Sequence, residues 1–218
     1  MEPIAHDVSG SDSTILLIDE GDLPSLTALT MQPERAQLVL WHQSDDEASA
    51  ERRLHVVRQH ERLSGGELLL TTAWSEPGGS AAAPRRLRRG LVLAQASIVA
   101  SRHGCGHIVW PVQVGDDPAA VCEAVDTATC IMELAEAEVE SGERRQGRGI
   151  TIDLPLVDLT EAQVVDLADD AGAPMRGFWP CQEGGAEPCG RCGECRRWSA
   201  GFAEVGLPWP WARTPSSA

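Results

Sequence analysis

The sequence predicts an α/β protein, built on a doubly wound parallel sheet and ending in a short segment that holds four cysteines. Three observations support this prediction. Short apolar runs alternate with segments of helical periodicity along most of the chain. The length of 218 residues suits one such domain with a small appendage. Four of the seven cysteines fall between residues 181 and 195, near the C-terminal end.

Five apolar runs have the length and composition of strands that are buried on both faces. The sequence places them at residues 13–18, 37–41, 67–72, 107–112 and 150–154. Neighbouring parallel strands need crossover connections, which usually contain a helix and lie on the faces of the sheet. The runs therefore predict a parallel sheet that is covered on both sides.

Four segments between these runs carry apolar residues at helical intervals. They cover residues 45–63, 85–101, 119–140 and 160–171. Thr160 and Gln163 fit a capping box at the start of the last segment. Strands that alternate with helices in this way predict a doubly wound sheet with right-handed crossovers. Residues 75–84 and 141–148 interrupt the pattern with the composition of flexible loops.

The chain is predicted to have two parts. Residues 1–175 carry the alternating strands and helices, and residues 176–218 carry the four-cysteine segment. Neither loop-like stretch is long enough to separate two full domains. We therefore expect one α/β domain with a C-terminal segment packed on it.

The charge of the chain limits its partners. It has 18 Lys and Arg residues against 33 Asp and Glu residues, so its formal net charge is −15. A protein that binds a phosphate backbone needs a basic face, and we therefore expect no nucleic-acid partner. No apolar run approaches the roughly 20 residues of a membrane span, and residues 1–7 lack the features of a signal peptide. We expect a cytoplasmic protein with reduced cysteines and no membrane association.

The four clustered cysteines have the spacing of a metal site. Cys181, Cys189, Cys192 and Cys195 follow the pattern C-x7-C-x2-C-x2-C in a stretch rich in glycine. Thiolates at this spacing can reach one tetrahedral ion, and zinc is the ion expected there. A site with four cysteine ligands is closed, so its expected role is structural. An iron–sulfur cluster and simple burial of the cysteines are the alternatives.

The other three cysteines are predicted to have no ligand role. Cys105 lies between His103 and His107, where a helix should end and a strand begin, so a loop is favoured over a second metal site. Cys122 and Cys130 fall within a predicted helix. We expect both of them to belong to the core.

The C-terminal third of the chain resembles one known family. Residues 179–207 combine an aromatic residue shortly before the first cysteine, the four-cysteine spacing, Gly190 after the second cysteine, and the tail from Gly201 to Gly206. Residues 155–162 read PLVDLTEA, a strand-to-helix element. In these features the chain resembles the 7-cyano-7-deazaguanine synthase (QueC) family. The rest of the chain is similar only in the order of its strands and helices.

The resemblance implies a fold, a metal and a reaction. The fold is a Rossmann-like ATP-pyrophosphatase domain of the adenine nucleotide α-hydrolase type, and the metal is a structural zinc on Cys181, Cys189, Cys192 and Cys195. The reaction converts 7-carboxy-7-deazaguanine and ammonia to the nitrile preQ0, a precursor of queuosine, with ATP and Mg²⁺. The resemblance also implies a small deazapurine ligand and, in many members, a homodimer.

The nucleotide loop departs from the family pattern S-G-G-x-D-S. Residues 17–26 stand in its place, and only Gly21 and Ser25 keep the register, which makes them the candidate nucleotide-binding residues. Asp22 replaces a glycine whose backbone must approach phosphate, and Pro24 removes an N–H donor. The resemblance is therefore weakest where ATP should bind.

Three acidic residues crowd the same loop. Asp19, Glu20 and Asp22 could recruit Mg²⁺ for a triphosphate ligand. A solvated acidic loop, with Pro24 at the start of a helix, is favoured instead. Glu161 adds a reversal of charge, because the family usually carries a lysine at that position.

Two other motifs are interpreted structurally. Residues 64–67 read SGGE, but they follow a predicted helix and precede a strand, so the glycines indicate the end of the helix rather than a phosphate loop. Trp209 and Trp211 are expected to pack back on the cysteine segment rather than to form an exposed docking tail.

Two functions are compatible with the sequence. The first is a divergent, working ATP-dependent ligase that forms the nitrile, which the C-terminal third and the order of strands and helices support. The second is a catalytically silent family member that keeps the fold and the zinc and binds a partner protein or a deazapurine. The second is supported by the loss of several positions that contact ATP or substrate in the family.

Overall fold

Five parallel strands form one sheet, as the sequence predicts. The structure is a computed structural model of the chain and describes residues 14–33, 36–44, 48–72, 85–140 and 149–212. The strands are β1 (Thr14–Ile18), β2 (Gln37–Ser44), β3 (Glu67–Thr72), β4 (His107–Val109) and β5 (Thr151–Asp153). Their order is β3-β2-β1-β4-β5, and every pairing is parallel. This is the strand order of a Rossmann-like, doubly wound sheet.

Within the described residues, six helices accompany the strands. They are α1 (Leu23–Thr30), α2 (Ala50–Ser64), α3 (Arg85–Arg102), α4 (Pro118–Glu140), α5 (Glu161–Asp170) and α6 (Gly193–Glu204). The four predicted helical segments are confirmed as α2 to α5. The capping box of Thr160 and Gln163 is formed at the start of α5. Gly65 ends α2 in the left-handed region at φ 67°, as the interpretation of SGGE predicts.

Two of the helices were missed or only partly predicted. The sequence indicates the start of α1 at Pro24 and gives no sign of α6. Every residue from Leu23 to Leu29 of α1 is buried, so this helix lacks the separate polar and apolar faces by which a sequence pattern reveals a helix. The first turn of α6 lies inside the cysteine segment, and Cys192 is its N-cap.

The sheet is covered on both faces, because neighbouring strand residues point in opposite directions. Leu16 packs in a cluster with Leu93 of α3 and Ala128 of α4. Leu17 packs in a separate cluster with Ala28 of α1. The predicted doubly wound arrangement is therefore confirmed.

An aromatic cluster within the C-terminal segment packs on apolar residues of α1 and α5. Trp198 and Phe202 of α6 contact Phe178, with ring centroids 6.2 Å apart in both pairs. Trp209 and Trp211 join the same cluster, and the ring centroid of Trp211 lies 4.8 Å from that of Phe178. The tail packs back as predicted, but against Phe178 and α6 rather than against the cysteines.

The cysteines outside the cluster differ in burial. Cys105 lies in the loop between α3 and β4, as predicted. Cys122 and Cys130 lie on α4 but are exposed, so the prediction that they belong to the core is wrong. The face of α4 that packs on the core carries small residues, Ala124 and Ala128, and this leaves both cysteines in solvent.

Two predictions concern loops and membranes. The loop-like stretches at residues 75–84 and 141–148 lie outside the described residues, so their flexibility stays a prediction. Among the helices that the structure describes, none combines the length and the apolar character needed to cross a membrane.

Candidate functional site

A cavity of about 450 Å³ lies at the carboxyl ends of β1 and β4. β1 pairs with β2 on one side and with β4 on the other, so the connections that follow β1 and β4 run toward opposite edges of the sheet. Doubly wound sheets bind their ligands in the crevice at such a switch point. The residues that follow β1 and β4 line the cavity, which makes it the candidate ligand site.

The cavity combines positive charge with aromatic walls. Four arginines contribute to the lining, namely Arg53, Arg88, Arg89 and Arg197. Three tryptophans contribute as well, namely Trp110, Trp179 and Trp198. The guanidinium group presents a planar fork that matches carboxylates and phosphates, and indole rings form flat apolar surfaces. Although acidic side chains also reach the cavity, this lining can accept a flat molecule with an anionic group.

Gly21 turns the chain shortly after β1. Its φ is 72°, and a Cβ atom there would lie 3.0 Å from the carbonyl oxygen of Arg53. Glycine is therefore required by both the backbone conformation and the available space. Both candidate nucleotide-binding residues are buried; Ser25 is among the residues that line the cavity, whereas Gly21 shapes the turn.

The N-terminus of α1 is capped by the chain's own carboxylate. Asp22 is the N-cap residue, and its Oδ1 atom accepts hydrogen bonds from the Ser25 backbone N–H at 2.9 Å and from the Ser25 hydroxyl at 2.6 Å. The Ser25 hydroxyl oxygen accepts from the backbone N–H of Glu20 at 3.0 Å. Pro24 has no N–H to donate, and burial raises the pKa of Asp22. The N–H groups of Glu20 and Ser25, which a phosphate could otherwise use, are thus engaged within the loop.

Asp19 lies at the base of the same loop and is fully buried. Its Oδ1 atom accepts from the backbone N–H of Gly21 at 2.8 Å, and its Oδ2 atom lies 2.8 Å from Nδ1 of His60. The prediction of a solvated acidic loop is therefore wrong for Asp19, although Glu20 is exposed. The physical reason is that His60 supplies a buried partner for the carboxylate.

His60 connects this loop to the start of the cysteine segment. Its Nε2 atom lies 2.6 Å from the carbonyl oxygen of Gly177. Because both ring nitrogens face oxygens that accept hydrogen bonds, we infer that the ring carries both protons and a positive charge. Burial lowers the pKa of His60, but the hydrogen bond and the charge of Asp19 outweigh it and leave the pKa raised.

Sequence interpretation missed His60 as a site residue. One signal could have revealed its burial, because Val56, Val57 and His60 share the buried face of α2. Its partner could not have been inferred in this way, since Asp19 is 41 residues distant in the chain.

A second contact attaches the cysteine segment to the loop after β1. The backbone N–H of Trp179 donates to the carbonyl oxygen of Gly21 at 2.8 Å. The guanidinium carbon of Arg52 lies 5.8 Å from the ring centre of Trp179. The cavity wall next to the cysteines is therefore held from two sides, by the β1 loop and by α2.

The structure brings the four predicted metal ligands together. The sulfur atoms of Cys181, Cys189, Cys192 and Cys195 all lie within 4.8 Å of one another. In a tetrahedral zinc site the sulfur atoms are about 3.8 Å apart, as a zinc–sulfur distance of about 2.3 Å requires. The cluster could therefore hold a metal ion.

Backbone N–H groups point at these sulfur atoms. The Sγ atom of Cys189 accepts from the N–H of Arg191 at 3.5 Å and from that of Cys192 at 3.3 Å. These two hydrogen bonds lower the pKa of Cys189 to about 6. Burial raises the pKa of Cys181 and that of Cys195. A bound cation would counteract this rise in pKa, because it favours the thiolate form of each cysteine ligand.

Glu161 pairs with a cavity arginine rather than facing a phosphate. The Nη1 atom of Arg197 lies 3.4 Å from Oε1 of Glu161, and its Nη2 atom lies 2.9 Å from Oε2 of Glu194. Because Arg197 lines the cavity, the acid that replaces the family's lysine helps to orient a cavity arginine.

The fold and the site together define an α/β protein with a small-molecule cavity at its switch point and a four-cysteine centre beside it. The model of the family described as "Queuosine biosynthesis protein QueC" matches residues 84–206, which is more than half of the chain. The chain therefore belongs to the QueC family. The matched range includes Arg88, Trp179 and the cysteine cluster, and it excludes the loop after β1.

Several 7-cyano-7-deazaguanine synthases are similar to this chain. That of Thermosynechococcus vestitus is 41% identical over 73 residues, or 33% of this chain and 31% of that protein. That of Parasynechococcus marenigrum is 28% identical over 121 residues, or 56% of this chain and 53% of that protein. The chain thus spans about a third to a half of these relatives' length. A solved structure of NMN synthetase from Francisella tularensis is 12% identical with a TM-score of 0.49, over 94% of this chain and 90% of that chain.

Proposed function

We propose that this protein acts in preQ0 formation as a 7-cyano-7-deazaguanine synthase-like protein, which converts 7-carboxy-7-deazaguanine and ammonia to the nitrile with ATP. The observation that carries the proposal is the switch-point cavity, because its arginines and tryptophans suit a flat, carboxylated base. Most of the lining, from Arg88 to Trp198, lies in the range that the QueC model matches. A volume of about 450 Å³ is in the usual range for small-molecule sites.

The proposed reaction replaces two carboxylate oxygens by one nitrogen. A carboxylate is a poor electrophile, so one oxygen must first become a leaving group by accepting an adenylyl group from ATP, which releases pyrophosphate. Ammonia then displaces AMP, loses a proton and forms an amide. A second ATP adenylates the amide oxygen and releases pyrophosphate, and loss of AMP with that oxygen and of two protons from the nitrogen gives the nitrile. In this scheme Arg88 and Arg197 bind anionic oxygens, and Trp110 and Trp179 exclude water from the reacting carbon.

A product assay by mass spectrometry tests this proposal. Purified protein is incubated with 7-carboxy-7-deazaguanine, ammonium and Mg-ATP, and AMP and preQ0 are measured against a control without protein. We expect both products, and we expect the Arg88→Gln variant to form them at least about tenfold more slowly, because it removes a charge-assisted contact. Arg102→Gln is the matched control, since it changes an exposed arginine at the other end of α3. The absence of both products, while an authentic synthase works alongside, would contradict the proposal.

A second candidate function is binding of the deazapurine without turnover. The observation that favours it is the Asp22 cap, which occupies the N-terminus of α1 with a carboxylate and repels the phosphates that ATP would bring there. Calorimetric titration separates the two candidates. A silent binder takes up 7-carboxy-7-deazaguanine but not Mg-ATP, whereas a synthase binds both.

We further propose that the four-cysteine cluster holds a structural zinc. The support is the donor set, four sulfur atoms within 4.8 Å of one another, which matches closed zinc sites. We also propose a cytoplasmic location, which would keep the four cysteines reduced. We also propose that the α/β domain ends at residue 175, where the cysteine segment begins, and that the protein forms a homodimer. Light scattering on the purified protein tests the homodimer.

A further inference from the structure

Two neighbouring helices, α3 and α4, carry most of the exposed large apolar side chains. In the part of the chain that the structure describes, eight such side chains are exposed, and five of them lie on these two helices. Leu87, Leu91 and Ile98 of α3 and Leu134 of α4 are each between 43% and 65% exposed. Exposed apolar residues that cluster in this way mark interaction sites, whereas single ones do not.

The helix α3 is apolar on two sides. Leu93 and Ala96 are completely buried in the cluster that covers the sheet. Leu87, Leu91 and Ile98 follow the spacing i, i+4, i+11, which places them on one stripe along a different side of the helix. A surface helix normally presents polar residues on the side that faces away from the core. The second apolar stripe therefore indicates a face that another surface covers.

Leu134 of α4 lies beside this stripe. α3 connects β3 to β4 and α4 connects β4 to β5, so both helices run opposite to the parallel strands and in the same direction as each other. A Cβ atom at Gly90 would lie 3.9 Å from Cγ2 of Thr127, which places these two residues at the same height. Ile98 and Leu134 each lie about two turns further along their helices, so they also share one height. The α3–α4 face is formed by Leu87, Leu91, Ile98 and Leu134.

The two helices that form the α3–α4 face carry opposite charges. α3 contains five arginines and no acidic residue, whereas α4 contains six acidic residues and no basic residue. Arg102 is exposed and follows Leu91 on the same stripe of α3, and Asp126 and Glu133 are exposed on α4. The face therefore has an apolar centre between a basic side and an acidic side. A surface with this pattern is complementary to a second copy of itself.

We propose that the α3–α4 face binds a second copy of this chain around a two-fold axis parallel to the helices. This axis places α3 of each protomer against α4 of its partner, so apolar side chains meet at the centre of a four-helix interface and opposite charges face each other. A two-fold axis perpendicular to the helices would place the arginines of α3 against those of the partner's α3, which like-charge repulsion opposes. The inference concerns which surfaces pair and in which orientation, and it does not depend on the proposed reaction.

Light scattering coupled to size-exclusion chromatography tests this interface with two substitutions at one height. In the proposed dimer, Ile98 of one protomer packs against Leu134 of the partner subunit. Ile98→Arg and Leu134→Glu each place a charge against an apolar side chain, so we expect the molar mass to fall from that of two chains to that of one. In a mixture of the two variants the introduced charges are opposite and face each other, so we expect the molar mass of two chains to return.

Val125→Glu is the matched control, because Val125 is an exposed apolar residue on the opposite side of α4, about two and a half turns from Leu134. This variant should keep the molar mass of two chains. Circular dichroism of every variant separates loss of the dimer from loss of the fold, and Leu91→Glu is a second substitution in α3 that should also give single chains.

Three results would overturn the interface. They are a wild type with the molar mass of one chain, which would assign the face to a different protein, dimers in both Ile98→Arg and Leu134→Glu, and loss of the dimer in Val125→Glu as well. A mixture of Ile98→Arg and Leu134→Glu that stays monomeric would overturn the pairing of α3 with the partner's α4. The product assay decides the proposed reaction separately.

Discussion

The imidazole of His60 lies 2.8 Å from the carboxylate of Asp19, and both side chains are almost completely shielded from solvent. This ion pair stands directly after β1, where the family pattern predicts a nucleotide loop. It connects α2 to the loop, and the second ring nitrogen of His60 connects both to Gly177. The pair therefore connects the loop after β1, several residues of which line the cavity, to α2 and to the start of the cysteine segment.

The Asp19–His60 pair should make stability depend on pH. Because the pKa of His60 is raised in the folded protein, the stabilisation is fully present below its ordinary pKa of about 6.5 and is lost as the pH rises through the folded value. Asp19→Asn removes the anion, so we expect the free energy of unfolding to fall by about 3 kcal/mol at neutral pH. We also expect the stability of this variant to decline less than that of the wild type as the pH is raised. Urea denaturation at several pH values measures both effects.

Asp153→Asn is the control for this prediction. Asp153 lies 3.8 Å from His107, but the side chains are 55% and 47% exposed, so the substitution should change stability by less than about 1 kcal/mol. Equal losses in the two variants would show that burial of the first pair has no special effect.

We expect the cap of α1 to depend more on the oxygen acceptor of Asp22 than on its charge. Asp22→Ala removes the acceptor for the Ser25 N–H and should cost about 1 kcal/mol of unfolding free energy. Asp22→Asn keeps an acceptor and relieves the cost of burying a charge, so its stability should equal or exceed that of the wild type. Urea denaturation distinguishes the two variants. Equal destabilisation by both variants would show that the cap needs the negative charge of Asp22 as well as its oxygen atom.

Loss of one cluster cysteine should release the metal and weaken the fold together. We expect Cys192→Ser to lower zinc content from about one ion per chain to far less, since structural sites need all four ligands. The melting temperature should fall by more than about 5 °C, because 1 kcal/mol corresponds to about 2–4 °C in a chain of this size. Elemental analysis and calorimetry measure the two quantities.

Cys122→Ser is the matched control for the cluster, because Cys122 is an exposed cysteine on α4. It should leave both the zinc content and the melting temperature unchanged. Full zinc content in Cys192→Ser would remove Cys192 from the ligand set.

The contact between α5 and α6 requires a glycine at position 201. A Cβ atom at Gly201 would lie 2.9 Å from the Cβ atom of Glu161 and 3.0 Å from its carbonyl carbon. Gly201→Ala should therefore destabilise the protein by about 1–3 kcal/mol, as overpacking does, despite the better helix propensity of alanine. Gly90→Ala is the control in α3, where a Cβ would meet only Thr127 at 3.9 Å. There we expect the free energy of unfolding, measured by urea denaturation, to rise by up to about 1 kcal/mol. A rise in this free energy for both variants would contradict the predicted clash.

The sheet could be predicted from the sequence because each strand is a short apolar run with a helix beside it. The cysteine cluster could be predicted because its ligands are close in the chain. The Asp19–His60 pair could not be predicted, since it joins residues that are distant in the chain. The sequence alone also does not distinguish a buried aspartate from a solvated one. Cys122 and Cys130 were misplaced because α4 packs through a stripe of alanines, which periodicity alone did not single out.

The two hydrogen bonds that cross from Gly177 and Trp179 to the rest of the domain make the cavity and the cysteine centre parts of one unit. Cys181 is only two residues from Trp179 and lines the cavity itself. An ion bound by the cysteines would order this segment and, with it, the wall of the cavity. If that ion raises the affinity for a ligand, thermodynamic reciprocity requires the ligand to raise the affinity for the ion by the same factor.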